Sequence, residues 1–408
     1  MPRVLVLLPS STYRARDVLR AAQALDVEVV IGTEQAQVLE TQTADTTITL
    51  PFGDPEAAAC CAARLHARRP LDGVAGLDDE TTLAAATIAA KLGLPGNPVE
   101  AVAACGSKLR MRKVMAAAGL RGPGFAVVPL QDIESHARVA PYPCVLKPTF
   151  LSASRGVIRA NDSTEFIEAG RRIGKILADP TLRQRGGTEA ELILVEDYLE
   201  GDEIAFEGLL IEGHLKTIAI FDKPEPLVGP FFEETLYVTP SRLADSARAS
   251  VTAEVQAAVE ALGLTHGPLH AELRFHDGSP TMLEIAPRPI GGLCPRVVPL
   301  TLRISVEELA LRASLALPVP TLEQGRSAGV MMIPVPRAGT LRRVEGVDDV
   351  LGVPGVTALD IAIGLGQKVT PLPEGNRYLG FVFAAGDTAA TVENALLSAH
   401  ACLVFDID

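Results

Sequence analysis

Pro268 to Gly292 reads PLHAELRFHDGSPTMLEIAPRPIGG, two apolar runs around Asp277-Gly278 with one glutamate in each. An antiparallel hairpin pairs residues whose numbers share a constant sum. A three-residue loop centred on Gly278 therefore sets His276 opposite Pro280, Arg274 opposite Met282 and Glu272 opposite Glu284. Alternation then puts His270, Glu272 and Arg274 on one face with Met282 and Glu284, and Leu273, Phe275, Leu283 and Ile285 on the other. A two- or four-residue loop would instead turn one glutamate to the opposite face. Facing carboxylates roughly 5 Å apart repel and need compensation. A shared proton, a nearby arginine or a hard divalent cation such as Mg²⁺, which also holds phosphate, would serve.

The 408 residues suggest two to three domains, and 48% hydrophobic with 4% aromatic content describes an Ala/Leu/Val-rich globular protein rather than a disordered one. A formal net charge of −13 argues against a nucleic-acid partner, which needs a basic face. The six cysteines show neither CxxC nor zinc-ligand spacing and read as core residues or free thiols of a reducing compartment. MPRVLVLLP ends its apolar run at Pro9 and reads as a first strand, not a leader. No stretch approaches the roughly 18 to 20 apolar residues of a membrane span. The expectation is a cytoplasmic protein, with a homodimer as the default assembly.

The first hundred residues alternate strand and helix patterns, from VLVLL and ARDVLRAAQAL to DGVAGL and ETTLAAATIAAKLG, predicting βαβ units on a parallel sheet. No GxGxxG follows the first strand. The break at LPGNP, with Asn97 as a helix cap and Pro98 at the first helical position, places a boundary near residue 97. An α+β region of hairpins and helices runs from about 98 to 325. Within it Asp162 with Glu165, and Ser305 with Glu308, cap helices. Val251, Val255, Val259 and Leu262 form one core stripe. DPTLRQRGGTEAE, between Ala178 and Glu191, reads as a polar mobile loop. Residues 326–408 read as a small third domain of strands with one helix near Thr388 to Ala399.

Three further stretches carry chemistry. In YPCVLKPTFLSASRGV, Tyr142 to Val157, Lys147 ends a strand beside a loop of small hydroxyl residues; this suits a phosphate clamp or, equally, an ordinary hairpin with a solvated lysine. In ELILVEDYLEGDEIAFEGLL, Glu196 and Glu203 flank a turn and could accept hydrogen bonds from an adenine amino group and ribose hydroxyls, though solubilising charge explains them as well. FDKPEPLVGPFFEETLYVTPS, Phe221 to Ser241, suits a loop lining a small-molecule pocket, with Lys223, Glu233 or Glu234 touching the ligand, or a packed surface loop. Arg288 could hold an oxyanion or a substrate carboxylate, or form a salt bridge to one glutamate. His266 and His270 have Gly267 and Pro268 between them, which breaks the helix a zinc pair would need.

The order Lys108, Lys147, Ser/Gly loop, acidic hinge, then Glu272 and Glu284 with Arg288, resembles the ATP-grasp superfamily. EIAPRP, Glu284 to Pro289, is similar to the motif of its purine-pathway members. PRPIGGLC and the layout of residues 326–408 look more like the L-amino-acid ligases that make dipeptides. The resemblance implies an N-terminal parallel α/β domain (1–97), a central ATP-grasp domain (98–325) and a small C-terminal α+β domain (326–408). It implies that Lys108 and Lys147 bind ATP phosphates under a loop with Ser152, Ser154 and Gly156. Glu196 and the backbone near Leu199 would meet adenine, Glu203 the ribose, and Glu272 and Glu284 Mg²⁺. Arg288 with Lys147 would serve catalysis, with Glu233, Glu234, His270, Arg288, Gly291 and Gly292 around the substrate. Ala286 stands where many members have a metal-binding asparagine, and Ser107 replaces the common acidic residue before the first lysine. The implied activity is ATP-dependent joining of a small carboxylate and an amine through an acyl phosphate. A purine-type carboxylase or formyl transferase, and a nucleotide-binding module without turnover, are the alternatives.

Overall fold

The computed structural model describes residues 1–10, 12–35 and 46–408. The strands Gly267–His276 and Ser279–Ala286 pair antiparallel. Their turn, however, has two residues rather than three. Asp277 and Gly278 both take left-handed backbone, with φ of 47° and 73°, the geometry that a tight hairpin of this length prefers. The tip register is thereby corrected: His276 faces Ser279, Arg274 faces Thr281 and Leu273 faces Met282. Continued unchanged, that register would turn Glu284 away from Glu272. It does not continue, because the ladder shifts between Leu273 and Glu272 and leaves Leu283 as an extra residue. Beyond this bulge Glu272 faces Glu284 and Ala271 faces Ile285. The expected faces of two residues are thus exchanged: Met282 enters the core with Leu273 and Ile285, while Leu283 lines a cleft with the two glutamates.

The hairpin forms one edge of an eight-stranded sheet. From that edge inward come Ser279–Ala286, Gly267–His276, Asp202–Ile211, His214–Asp222, Leu236–Thr239, Ser327–Ile333, Gly380–Gly386 and Val356–Ile361, all neighbours antiparallel. The helix Asp245–Leu262 buries Val251, Val255, Val259 and Leu262 against it, the stripe expected from their spacing. On another part of the sheet Leu209, Phe221 and Leu293 share a core with Val330, Met332 and Phe381. Strands on both sides of residue 325 therefore belong to one sheet and one core, with the helix Ala389–Cys402 packed over the far end.

Two smaller sheets face this platform. Residues Arg3–Leu7, Glu28–Thr33, Thr47–Thr49 and Gly73–Gly76 form a parallel four-stranded sheet, as their apolar runs separated by helices predict. Val4 and Val6 pack against Ala310 and Leu311 of the helix Val306–Ser314, which seats this sheet on the rest. A four-stranded antiparallel lobe is built from Phe125–Pro129, Leu192–Asp197, Cys144–Pro148 and Ile158–Ala160, with Phe166 and Ile173 of the helix Ser163–Leu177 buried on it. Among the described residues no helix is long and apolar enough to cross a membrane.

Two local expectations are corrected. Asn97 does not cap the helix Val99–Cys105, whose N-cap is Pro98. Its amide instead accepts from the backbone N–H of Thr265 and His266 at 2.8 and 2.9 Å and donates to the His266 carbonyl at 2.7 Å, tying the linker to the start of the glutamate hairpin. The polar stretch after Ala178 is ordered as a helix, Pro180–Gly186. Asp179 caps it by accepting from the Thr181 and Leu182 N–H groups, with proline in the first turn where no N–H is needed.

Candidate active site

The bulged hairpin delivers Glu272 and Glu284 into a cleft between the antiparallel lobe and the large sheet. A buried arginine that the sequence reading did not single out braces the bulge. Arg112 donates to the carbonyls of Met282 and Leu283 at 2.9 and 2.7 Å, and its Nε donates to Glu196 at 2.7 Å. Lys147 Nζ lies 2.6 Å from the other Glu196 oxygen. Glu196 is thus a buried counter-ion that places a lysine and an arginine. Burial would raise its carboxyl pKa, but Lys147 and Arg112 outweigh that and hold it below the usual range.

Lys108 begins the helix Lys108–Ala117, where Ser107 is the N-cap, and its Nζ reaches Glu284 at 2.5 Å. Ser107 also donates to Glu189, which brings a carboxylate beside this helix start from elsewhere in the chain. Facing the lysines, Ala153 and Ser154 hold left-handed backbone with φ of 56° and 53°. Such conformations are costly for residues with a Cβ and concentrate where a loop is held for function. Ser152, Ser154, Leu199, Glu203, Lys108, Lys147, Glu196, Glu272, Glu284 and Arg288 all line one cavity of about 120 Å³. Gly156 does not; its N–H donates to the Pro373 carbonyl at 2.9 Å.

A second cavity, of about 300 Å³, shares Ser152, Glu234, His270, Glu272 and Arg288 with the first and adds Gly291 and Gly292. Glu233 lines neither. Arg288 is buried and donates to both oxygens of Asp79, at 2.6 and 3.0 Å. Asp79 opens the helix Asp79–Leu92 of the parallel sheet, so its partnership with Arg288 could not be read locally. Burial alone would push the Asp79 carboxyl up, yet the Arg288 charge and hydrogen bonds hold it low. His270 sits between Glu207 at 2.6 Å and Glu272 at 3.3 Å. Burial opposes its charge, but the hydrogen bonds and charges of those two glutamates raise its pKa to about 9. Glu207, on the neighbouring strand, also accepts from the Ile290 N–H and so fixes the segment after Arg288.

Lys223, expected to touch a ligand, is buried among three carboxylates. It bonds Glu203 at 2.6 Å and Glu234 directly, and lies 3.7 Å from Glu272. Oxygens of those three glutamates lie within 4.8 Å of one another. The Lys223 ammonium lies among those oxygens, so the space between them is a poor place for a further cation. The second oxygen of Glu203 meets Arg274 at 3.1 Å. Glu234 is raised to about 7, first by burial and then by Glu272, against the opposing pull of Lys223. Glu272, by contrast, stays well below the ordinary carboxyl range, since Lys223, His270 and Lys108 outweigh its burial. It is an ionised hard donor. With Glu284 opposite, it fits Mg²⁺, whose remaining positions phosphate and water would fill because Ala286 offers no third side-chain ligand.

Three family models match the chain: an ATP-grasp N-terminal domain over residues 19–96, an ATP-grasp domain over 140–296 and the L-amino acid ligase C-terminal domain 2 over 331–408. The chain has the ATP-grasp fold and belongs to that superfamily. Its overall form is similar to that of the L-amino acid ligase from Bacillus licheniformis, with a TM-score of 0.82, 27% identity, and 100% of this chain and 99% of that one covered. The alanine–anticapsin ligase of Bacillus subtilis is 30% identical over 45% of this chain. The y4rH protein of Sinorhizobium fredii is 27% identical over 70%. These matches span only 41% and 58% of those two relatives' own lengths.

Proposed function

We propose that the protein is an ATP-dependent carboxylate–amine ligase acting on amino acids. The observation that carries this reading is the joining of two cavities through Ser152, Glu272 and Arg288, one lined by Lys108 and Lys147 and the other large enough for an amino acid. The first cavity, of about 120 Å³, continues into the second, of about 300 Å³, through those shared residues. On nucleotide binding Lys108 would exchange Glu284 for phosphate, and Lys147 would stay aligned by Glu196. When bound, Mg²⁺ on Glu272 and Glu284 supplies charge neutralisation along the phosphates.

A substrate carboxylate oxygen attacks the γ-phosphorus, the bond to the β-phosphate oxygen breaks, and ADP leaves an acyl phosphate. Arg288 stabilises charge on the carbonyl oxygen as an amine nitrogen attacks the carbon and phosphate departs. Glu234, lining both cavities with a pKa of about 7, is placed to take the proton the amine sheds. The loop Leu151–Val157 excludes water from the intermediate. The similarity to alanine–anticapsin ligase and to the L-amino acid ligase supports this reading over a purine-type carboxylase.

The test is incubation with ATP, Mg²⁺ and pooled amino acids, followed by mass spectrometry. ADP, phosphate and a dipeptide should appear together. Absence of ADP under every pairing would rule the reading out, and binding of aminoimidazole ribonucleotide would favour the purine alternative.

A further inference from the structure

Charge pairing in the 300 Å³ cavity leaves one cation over. Arg14 is occupied by Glu307, Asp78 and the Ile290 carbonyl. Arg288 is held by Asp79, Arg185 lies near Glu80, and His270 lies between two glutamates. Arg377 alone among the described cationic side chains lining this cavity has no carboxylate or carbonyl partner.

The backbone that carries it is nevertheless pinned on both sides. Residues just before it are pinned to the phosphate-loop side of the cleft: the Gly156 N–H donates to the Pro373 carbonyl and Arg155 Nε to the Glu374 carbonyl, both at 2.9 Å. Arg172 grips the Glu374 carboxylate with two donors. Just after it, Tyr378 packs edge-on against Phe381 with ring centroids 6.1 Å apart. The guanidinium is thus carried on a segment held at both ends, at the mouth of a site whose other cations are already neutralised. A planar fork of this kind recognises a carboxylate through two parallel hydrogen bonds.

We propose that Arg377 binds the carboxylate of the amine-donating substrate and so selects an amino acid over an amine that lacks a carboxylate. Resting on the ligase reading above, this assigns a specificity-determining residue to the C-terminal region. Arg288, held by Asp79, is left to the carbonyl of the activated substrate. The carboxylate on Arg377 keeps the donor's amino group turned toward that carbonyl.

The test compares an amino acid with its carboxamide as amine donor, reading KM and kcat for ADP release. In the wild type the carboxamide should show a KM about 10- to 100-fold higher. Arg377→Ala should raise the amino-acid KM by a similar factor, leave the carboxamide KM unchanged, and so abolish discrimination, with Arg377→Lys partly restoring it. Because Arg377 is exposed, its melting temperature should not move. Undiminished discrimination in Arg377→Ala would overturn the proposal. A binding measurement separates this outcome from failure of the ligase reading. If no ADP forms with any pair, calorimetric titration of a dipeptide and its C-terminal amide still reports on Arg377. Tighter binding of the free acid, lost in Arg377→Ala, supports the assignment; equal affinity for the two in the wild type sinks it.

Discussion

Arg288 and Asp79 lie 209 positions apart and form a two-pronged ion pair at 2.6 and 3.0 Å. The parallel domain thereby holds the side chain assigned to the reacting carbonyl. Asp79→Ala should cost up to about 1.5–3 kcal/mol in unfolding free energy, the range for hydrogen bonds to a charged group, lessened by the partial exposure of Asp79. Arg288→Ala should lower kcat for ADP release by about 100-fold or more. Chemical denaturation and steady-state rates check the two effects, and an unaltered kcat would remove Arg288 from the chemistry.

The bulge at Leu283 is what points both glutamates into the cleft, and its carbonyls are tied to Arg112. Deleting Leu283 should return the hairpin to a single register with Glu284 still opposite Glu272, so stabilisation by Mg²⁺ and ATP together, about 2.7 kcal/mol at a hundredfold excess over Kd, should persist. The double change Glu272→Gln, Glu284→Gln should shrink it to that of ATP alone without altering the hairpin. Thermal melts with and without Mg²⁺ measure this; an intact Mg²⁺ increment in the double variant would refute the metal assignment.

His270 has a pKa of about 9 in the folded protein, raised by Glu207 and Glu272 against its burial, where an ordinary histidine titrates near 6.5. A raised value means the folded state holds the proton more tightly. The stabilisation is fully present below about pH 6.5 and is lost as pH rises through about 9. Glu207→Gln keeps an acceptor for the Ile290 N–H but removes the charge. Its melting temperature should therefore fall less steeply than the wild type's across that window, and parallel curves would contradict the pairing.

The contact between Arg172 and Glu374 joins the antiparallel lobe to the segment that carries Arg377. Both side chains are about 40% exposed, so Arg172→Ala should change stability by less than about 1 kcal/mol. Its effect should appear instead in coupling. A loosened lobe would let water reach the activated carboxylate, so ADP formed per dipeptide should rise above one. A strict one-to-one ratio in the variant would show that the latch plays no part in closure.

Gly201 has a φ of 100°, and a Cβ there would lie 2.4 Å from the Phe275 carbonyl oxygen. The turn beside the acidic hinge and the glutamate hairpin therefore touch backbone to backbone. Gly201→Ala should destabilise the protein by about 1–3 kcal/mol, measured by urea denaturation. Wild-type stability would mean that the hinge can move away from the hairpin.

The sequence by itself determined the periodic features. Alternating apolar runs define the parallel sheet, a 3.6-residue stripe the helix Asp245–Leu262, and Asp277-Gly278 the place of the hairpin turn, though not its length. Each depends on residues within one element, and the spacing of Lys108, Lys147, Glu272, Glu284 and Arg288 could be matched as a pattern. Tertiary structure decided what those residues face. Leu283 bulges in a ladder whose neighbouring strand, Asp202–Ile211, runs in unbroken register along Gly267–His276; the two-residue turn alone would have put Glu284 on the wrong face. Asp79, Glu207 and Arg112 sit in stretches that carry no local mark of a site. Their roles arise because buried charges must find partners, and the partners come from elements scores of residues away. Periodicity is local, whereas charge compensation is settled only when the domains meet.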